Sequence, residues 1–229
     1  MIWNSLTATA GITCVKPASE ADLSTLPVGF PLSHLQLLRM TDGLTSGYGY
    51  VRVFGVGEQV RDQIRWNDFE CWRFACPSKA EGLWFFAENA HGGQYAYEYD
   101  ENGSLRERVV YVDQNMTPAW TLPNFEVFVQ NAVVKHATKP TDPLFEPTLR
   151  RLGTIPPNKH VVPVPHPCLG GDLASENVML IDARTAMIMN ADLWAEINRV
   201  GDVDQHSRAE TYVDEKGRTR FRIGRNLAR

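Results

Sequence analysis

The chain has 229 residues, 43% of them hydrophobic and 22% charged, with a formal net charge of -4. That length supports one sizeable core, or one domain with an elaborate extension, and the composition excludes wholesale disorder. The charge is too mild to announce a nucleic-acid or membrane partner, and the sequence has no apolar run of about 18 residues, the length a helical span needs.

Charge is nevertheless uneven. Residues 1–150 carry 17 acidic and 12 basic side chains, and residues 151–229 carry 10 and 11. The last fourteen residues hold Lys216, Arg218, Arg220, Arg222, Arg225 and Arg229 and no acid. The cysteines are Cys14, Cys71, Cys76 and Cys168. The N-terminus lacks the charged and apolar regions of an export signal, so reduced thiols and a cytoplasmic location are expected.

Residues 1–30 read as irregular or weakly helical and end in the turn-rich Leu26-Pro27-Val28-Gly29. Pro31 opens a helix whose Leu32, Leu35, Leu38 and Met40 fall near helical spacing, with Gly43 as its stop. A strand is expected over Tyr48 to Phe54, and a short helix over Glu58 to Phe69 with Val60, Ile64 and Trp66 inward. Leu83 to Glu88 suits a buried strand, and Asn89 to Gly93 a turn. Gln94 to Asp100 alternates strictly, with Tyr95, Tyr97 and Tyr99 on one face. Asp100-Glu101-Asn102-Gly103 signals a hairpin that returns over Val109 to Val112. Phe125, Phe128, Val129, Ala132 and Val133 fit one face of a helix.

Residues 136–147 read as a linker, and the five prolines of residues 154–171 suggest an extended polyproline-like path. A strand over Val178 to Ile181, a helix over residues 184–200 and a hairpin turning at Asp214 to Gly217 close the chain. The expected fold class is α+β: a curved antiparallel sheet backed by helices over residues 1–137. Residues 138–229 are expected to form an extension carrying strand, helix and hairpin, packed on that domain in preference to standing as a separate one.

Certain residues occur in a telling order. Leu26-Pro27 precedes a leucine-rich helix that ends in Asp42-Gly43, and Gly47-Tyr48-Gly49-Tyr50 leads into a strand. Trp84-Phe85-Phe86-Ala87, His91-Gly92-Gly93 and Tyr97-Glu98-Tyr99-Asp100 follow, then a helix with Phe125 and Phe128. This order resembles the SUKH superfamily, the Smi/Knr-like group, over roughly residues 18–135. Farther on, Leu152-Gly153, Pro167-Cys168-Leu169-Gly170-Gly171 and Asp192-Leu193-Trp194 are similar to the tail of bacterial immunity proteins related to the type VI secretion system. The resemblance implies a SUKH-like domain that neutralises a cognate toxin, such as a nuclease, by direct binding. It carries over no catalytic residue.

Motifs for chemistry are sparse. G-x-S-x-G, H-E-x-x-H and Walker-type patterns are missing, and Gly55-Val56-Gly57 is only a fragment of a dinucleotide fingerprint. His160, His166 and Cys168 lack a fourth metal ligand, and Cys71 or Cys76 could meet His34 or His91 only through the fold. No cofactor and no metal are expected. Two aromatic residues, Trp84 and Tyr97, and the acids Asp42, Glu58, Glu88, Glu98, Asp100 and Glu101 are candidates for a partner-binding face suited to a basic toxin. Ordinary sheet core and solvated charge are the alternatives for each of them. At the level of function, the competing readings are an adaptor of the same fold and a nucleic-acid binder using Arg218, Arg220 and Arg222 on one strand face.

Overall fold

In the computed structural model the described residues are 2–47, 50–57, 63–68, 80–89, 93–113, 116–137, 159–163, 178–182, 185–186, 188–189, 192–193, 195–196 and 207–225. The chain divides into two compact units, Met1–Asn67 with Ser78–Asn158, and Asp68–Pro77 with Lys159–Arg229. The boundary expected after residue 137 opens a run, 138–158, outside the described residues.

The first unit is an α+β fold around one open antiparallel sheet of seven strands. They are β1 (Ile12–Cys14), β2 (Leu44–Ser46), β3 (Val51–Val53), β4 (Leu83–Asn89), β5 (Gln94–Tyr99), β6 (Leu105–Val112) and β7 (Pro118–Leu122). Their order in space is their order in sequence, a pure meander. Short helices α1 (Ile2–Leu6), α2 (Glu20–Leu23), α3 (Leu32–Leu38) and α4 (Gln63–Trp66) flank it. A longer helical segment follows β7: α5 (Phe125–Phe128), a π-helical stretch Val129–Val134 and α6 (Lys135–Ala137).

The apolar stripe expected over 125–133 is buried at all five positions, against Phe86, Tyr95 and Tyr97 of the sheet. Asn124 starts this segment by accepting the Val127 amide at 3.0 Å. A π-turn was not expected. It leaves every apolar position facing the sheet, so the sequence pattern does not betray it.

β4 reads as a continuous apolar run because both of its faces are covered. Phe86 and Ala87 join the helix-side core. The Phe85 amide donates to Asn67 Oδ1 at 2.8 Å, and Asn67 Nδ2 donates to the Phe85 carbonyl at 2.7 Å. That single amide side chain acts as a strand neighbour at the β-bulge between Phe85 and Ala87. On the same helix-side face, Tyr95, Tyr111 and Trp120 are successive cross-strand partners, with Tyr111 and Trp120 stacked at 4.6 Å. Gly93 gives this ladder room, because a Cβ there would lie 2.0 Å from the Tyr111 hydroxyl oxygen.

Several expectations need correction. β1, β2 and β7 lie where no strand was expected, and β3 begins at Val51; Tyr48, where it was expected to start, lies outside the described residues. In α3 the buried positions are His34, Leu37 and Leu38, while Leu32 stays 70% exposed. The segment 159–163 is not a lone polyproline path but β8 (Lys159–Pro163), paired with β9 (Val178–Asp182). Val60 and most of the 154–171 stretch lie outside the described residues.

In the second unit, β10 (Ser207–Val213) and β11 (Thr219–Arg225) form the expected hairpin. The described residues between 185 and 196 are helical, within the expected helix. Val162, Ala186, Met189 and Leu193 make a small core, closed by Ile181, Phe221 and Ile223.

At the centre of the first unit, His34 is fully buried and stacks on Phe125 at 4.0 Å. Its Nδ1 shares a 3.0 Å hydrogen bond with the Tyr97 hydroxyl, and its Nε2 has no partner among the described residues. Burial holds the imidazole well below its usual range, so the folded unit keeps it neutral where the unfolded chain takes up a proton. Stability is therefore full above the ordinary histidine value and is lost as pH falls below about 6.5, at up to about 1.4 kcal/mol per pH unit. Urea midpoints at about pH 7.5 and about pH 5 are expected to show this loss, and His34→Phe is expected to reduce it. An equal loss in the variant would assign the effect to other groups.

Candidate functional site

The eight candidate partner-binding residues do not converge on one surface. Asp42 is buried in the corner after α3. Its carboxylate accepts the amides of Val56 at 2.6 Å and Gly57 at 2.9 Å, and its own amide donates to the Lys16 carbonyl at 2.9 Å. Gly55 lies so close that a Cβ would sit 2.5 Å from Asp42. Burial pushes the Asp42 carboxyl up, and the two amides pull it back in part. The Gly55-Val56-Gly57 fragment is thus a landing for this side chain, and Asp42 is a buried brace in place of a contact residue.

Tyr97 and Glu88 are interior as well. Tyr97 is fully buried between Phe86, Phe30 and His34, and burial raises its hydroxyl well above the usual range. Glu88 is 4% exposed and pairs across the sheet with Arg52 at 3.5 Å. Neither side chain reaches a partner surface, so both leave the candidate set for the same reason as Asp42. The strict alternation of the strand placed Tyr97 on the apolar side, and its hydroxyl found His34 there.

Trp84 is half-buried; its Nε1 donates to Gln63 Oε1 at 2.9 Å while the ring packs on the helix-side core. Glu98 lies on the opposite face of β5 from Tyr97, half-buried and ion-paired with Arg108. Asp100 locks the hairpin by accepting the amides of Asn102 at 2.8 Å and Ser104 at 2.9 Å. Glu101 stands exposed at its tip. Glu98, Asp100 and Glu101 therefore share one end of the β5–β6 hairpin, with Trp84 on the neighbouring strand. Glu58 lies outside the described residues.

The basic hairpin of the second unit is already occupied by its own acids. Arg220 forks onto Asp192 through Nε and Nη2, and the Phe221 amide donates to the same carboxylate at 2.9 Å. Arg218 bonds Asp214 at 2.8 Å. Arg222 faces Glu210 at 3.4 Å and lies over the Tyr212 ring at 5.6 Å. Sequence reading missed the Arg220–Asp192 pair because the two residues stand 28 apart in the chain.

Among the described residues no group of three or more His, Cys, Asp or Glu could hold a metal ion. Burial raises the Cys14 thiol, and Thr41 partly offsets this through a hydrogen bond. His34 is engaged by Tyr97, while Cys71, Cys76, His91, His166 and Cys168 lie outside the described residues. Also among the described residues, no helix is long and apolar enough to cross a membrane.

No protein-family model matches the sequence, and no curated protein matches it. The fold is similar to the crystal structure of Atu4351 from Agrobacterium tumefaciens, with a TM-score of 0.53 and 16% sequence identity over 96% of each chain.

Asp42→Ala is expected to destabilise the first unit by about 3 kcal/mol, because two amides lose a charged acceptor in a buried corner. Glu101→Lys is expected to stay within about 0.5 kcal/mol of the parent. Chemical denaturation of both variants checks the contrast, and equal stabilities would contradict the assignment of Asp42 as a brace.

Proposed function

We propose that the chain is a non-enzymatic binding protein that neutralises a cognate bacterial toxin by direct contact, acting in the cytoplasm. One observation carries the reading: the SUKH-like motifs fall in order on a single unit. Leu26-Pro27 precedes α3, Asp42-Gly43 forms the corner after it, and Trp84 to Ala87 and Tyr97 to Asp100 lie on the paired strands β4 and β5. Phe125 and Phe128 then open the covering helix.

The contact surface in this reading is the end of the β5–β6 hairpin. Glu98, Asp100 and Glu101 sit there on a turn braced by side-chain hydrogen bonds, so little ordering entropy is lost on docking. Acidic charge at that end, above all the exposed Glu101, suits a basic toxin surface, such as that of a nuclease, through steering and charge complementarity. An adaptor of the same fold would use the same surface for another partner. The nucleic-acid reading is disfavoured, because Arg218, Arg220 and Arg222 each already face an acid.

The test is co-expression with the protein encoded beside this chain's gene. Growth should be restored, and the two proteins should co-elute in high salt. Glu101→Lys should weaken the complex about five-fold, mainly through slower association. Failure to protect, with binding to several unrelated proteins instead, would favour the adaptor. Failure to protect or bind anything would defeat both.

A further inference from the structure

A second surface lies on the helix side of the sheet, the opposite face from Glu98. Here α2, α3 and the start of β6 enclose an open groove of about 440 Å³. Leu23, Leu26, Phe30, Leu32 and Leu35 line it, and Glu107 is its one charged lining residue. We propose that this groove receives a polypeptide segment presenting a bulky apolar side chain beside a lysine or arginine.

Apart from Glu107, the side chains that line the groove are apolar. Leu32 is 70% exposed on its wall, and Val28, between the lining residues Pro27 and Gly29, is 77% exposed. Both leave aliphatic surface in water at the groove's rim. Its volume falls in the lower part of the range of about 300–1,000 Å³ found for sites that seat compact ligands or anchor side chains.

The walls are fixed in advance. Ser19 and Asp22 close a capping box on α2. The Leu105 amide donates to the Val28 carbonyl at 3.2 Å, tying the loop before α3 to β6. Leu23 and Phe30 belong to the main core, so the floor cannot collapse without disturbing it.

Charge selects the occupant. Glu107 is exposed and has no ion-pair partner among the described residues. Arg106 and Arg108 flank it in sequence, but neither lines the groove, and Arg108 bonds Glu98. Nearby on α2 and α3, Glu20 is matched by Arg39, and Asp22 is spent on the Ser19 cap. The groove thus keeps one uncompensated negative charge at its edge, and a cation beside an apolar anchor satisfies both features. The Leu26-Pro27 pair, singled out in the sequence as the lead into a helix, forms part of this wall.

The proposal does not rest on toxin neutralisation, and its test uses no toxin. The probes are two capped, dye-labelled peptides, a leucine–phenylalanine core flanked by lysines and the same core flanked by glutamates. Fluorescence anisotropy is read with the full chain. The lysine peptide should bind and the glutamate peptide should not. Glu107→Lys should weaken the lysine peptide about five-fold or more and admit the glutamate peptide. Leu32→Asp, at an exposed position, should abolish binding of both, while Glu81→Lys, exposed and away from the groove, should change nothing. Binding that ignores Glu107→Lys, or that every variant shares, overturns the proposal. So does a dimer in sedimentation that Leu32→Asp dissolves while neither peptide binds, since the occupant is then a second copy.

Discussion

The first unit hangs on the contact of His34 with Phe125 and Tyr97. α3 and the segment from Phe125 come from distant parts of the sequence, and this stack brings them together over the sheet. The imidazole gives an aromatic face to Phe125 and a nitrogen to Tyr97, which no aliphatic residue could do. It does so with its other nitrogen unpartnered among the described residues, a cost of about 1–3 kcal/mol. The core accepts that cost because Phe30, Phe86 and Tyr97 all pack within ring-contact distance of the same side chain.

Away from this centre, side chains repeatedly do the work of backbone. Asp42 accepts two amides that no strand reaches. Asn67 supplies both halves of a ladder to Phe85 where the β-bulge interrupts pairing. Asp100 and Asp214 each hold a hairpin turn by accepting two amides. The buried ones, Asp42 and Asn67, are thereby withdrawn from recognition. This is why the acids that look alike in sequence divide so sharply in space, with Asp42 and Glu88 inside and Glu101 and Glu107 in water.

Much of the fold was legible in the sequence, for particular reasons. β5 showed because Tyr95, Tyr97 and Tyr99 alternate over six residues, and the helix from Phe125 because five apolar positions share one face. β1 did not show, because Ile12-Thr13-Cys14 is too short to alternate and owes its strand to pairing with β2. The site was less legible. An exposed acid and a buried brace have the same letter, and what separates them is a partner far along the chain: Val56 and Gly57 for Asp42, Arg52 for Glu88, Asp192 for Arg220. The groove at Glu107 gave no signal, since its walls come from three separate elements.

The meander has a consequence for synthesis. Each strand pairs with its neighbour in the chain, and four of the six pairings close loops of only four or five residues as the chain leaves the ribosome. The helical cover, however, is made last. Between the end of β6 at Val112 and the end of the cover at Ala137, the nascent sheet holds Phe86, Tyr97 and Val109 without the helix that hides them. At about 5–20 residues per second that interval lasts on the order of one to five seconds. During it the chain presents a wide greasy sheet to its surroundings, and this is the stage of its life at which chaperones have most to hold.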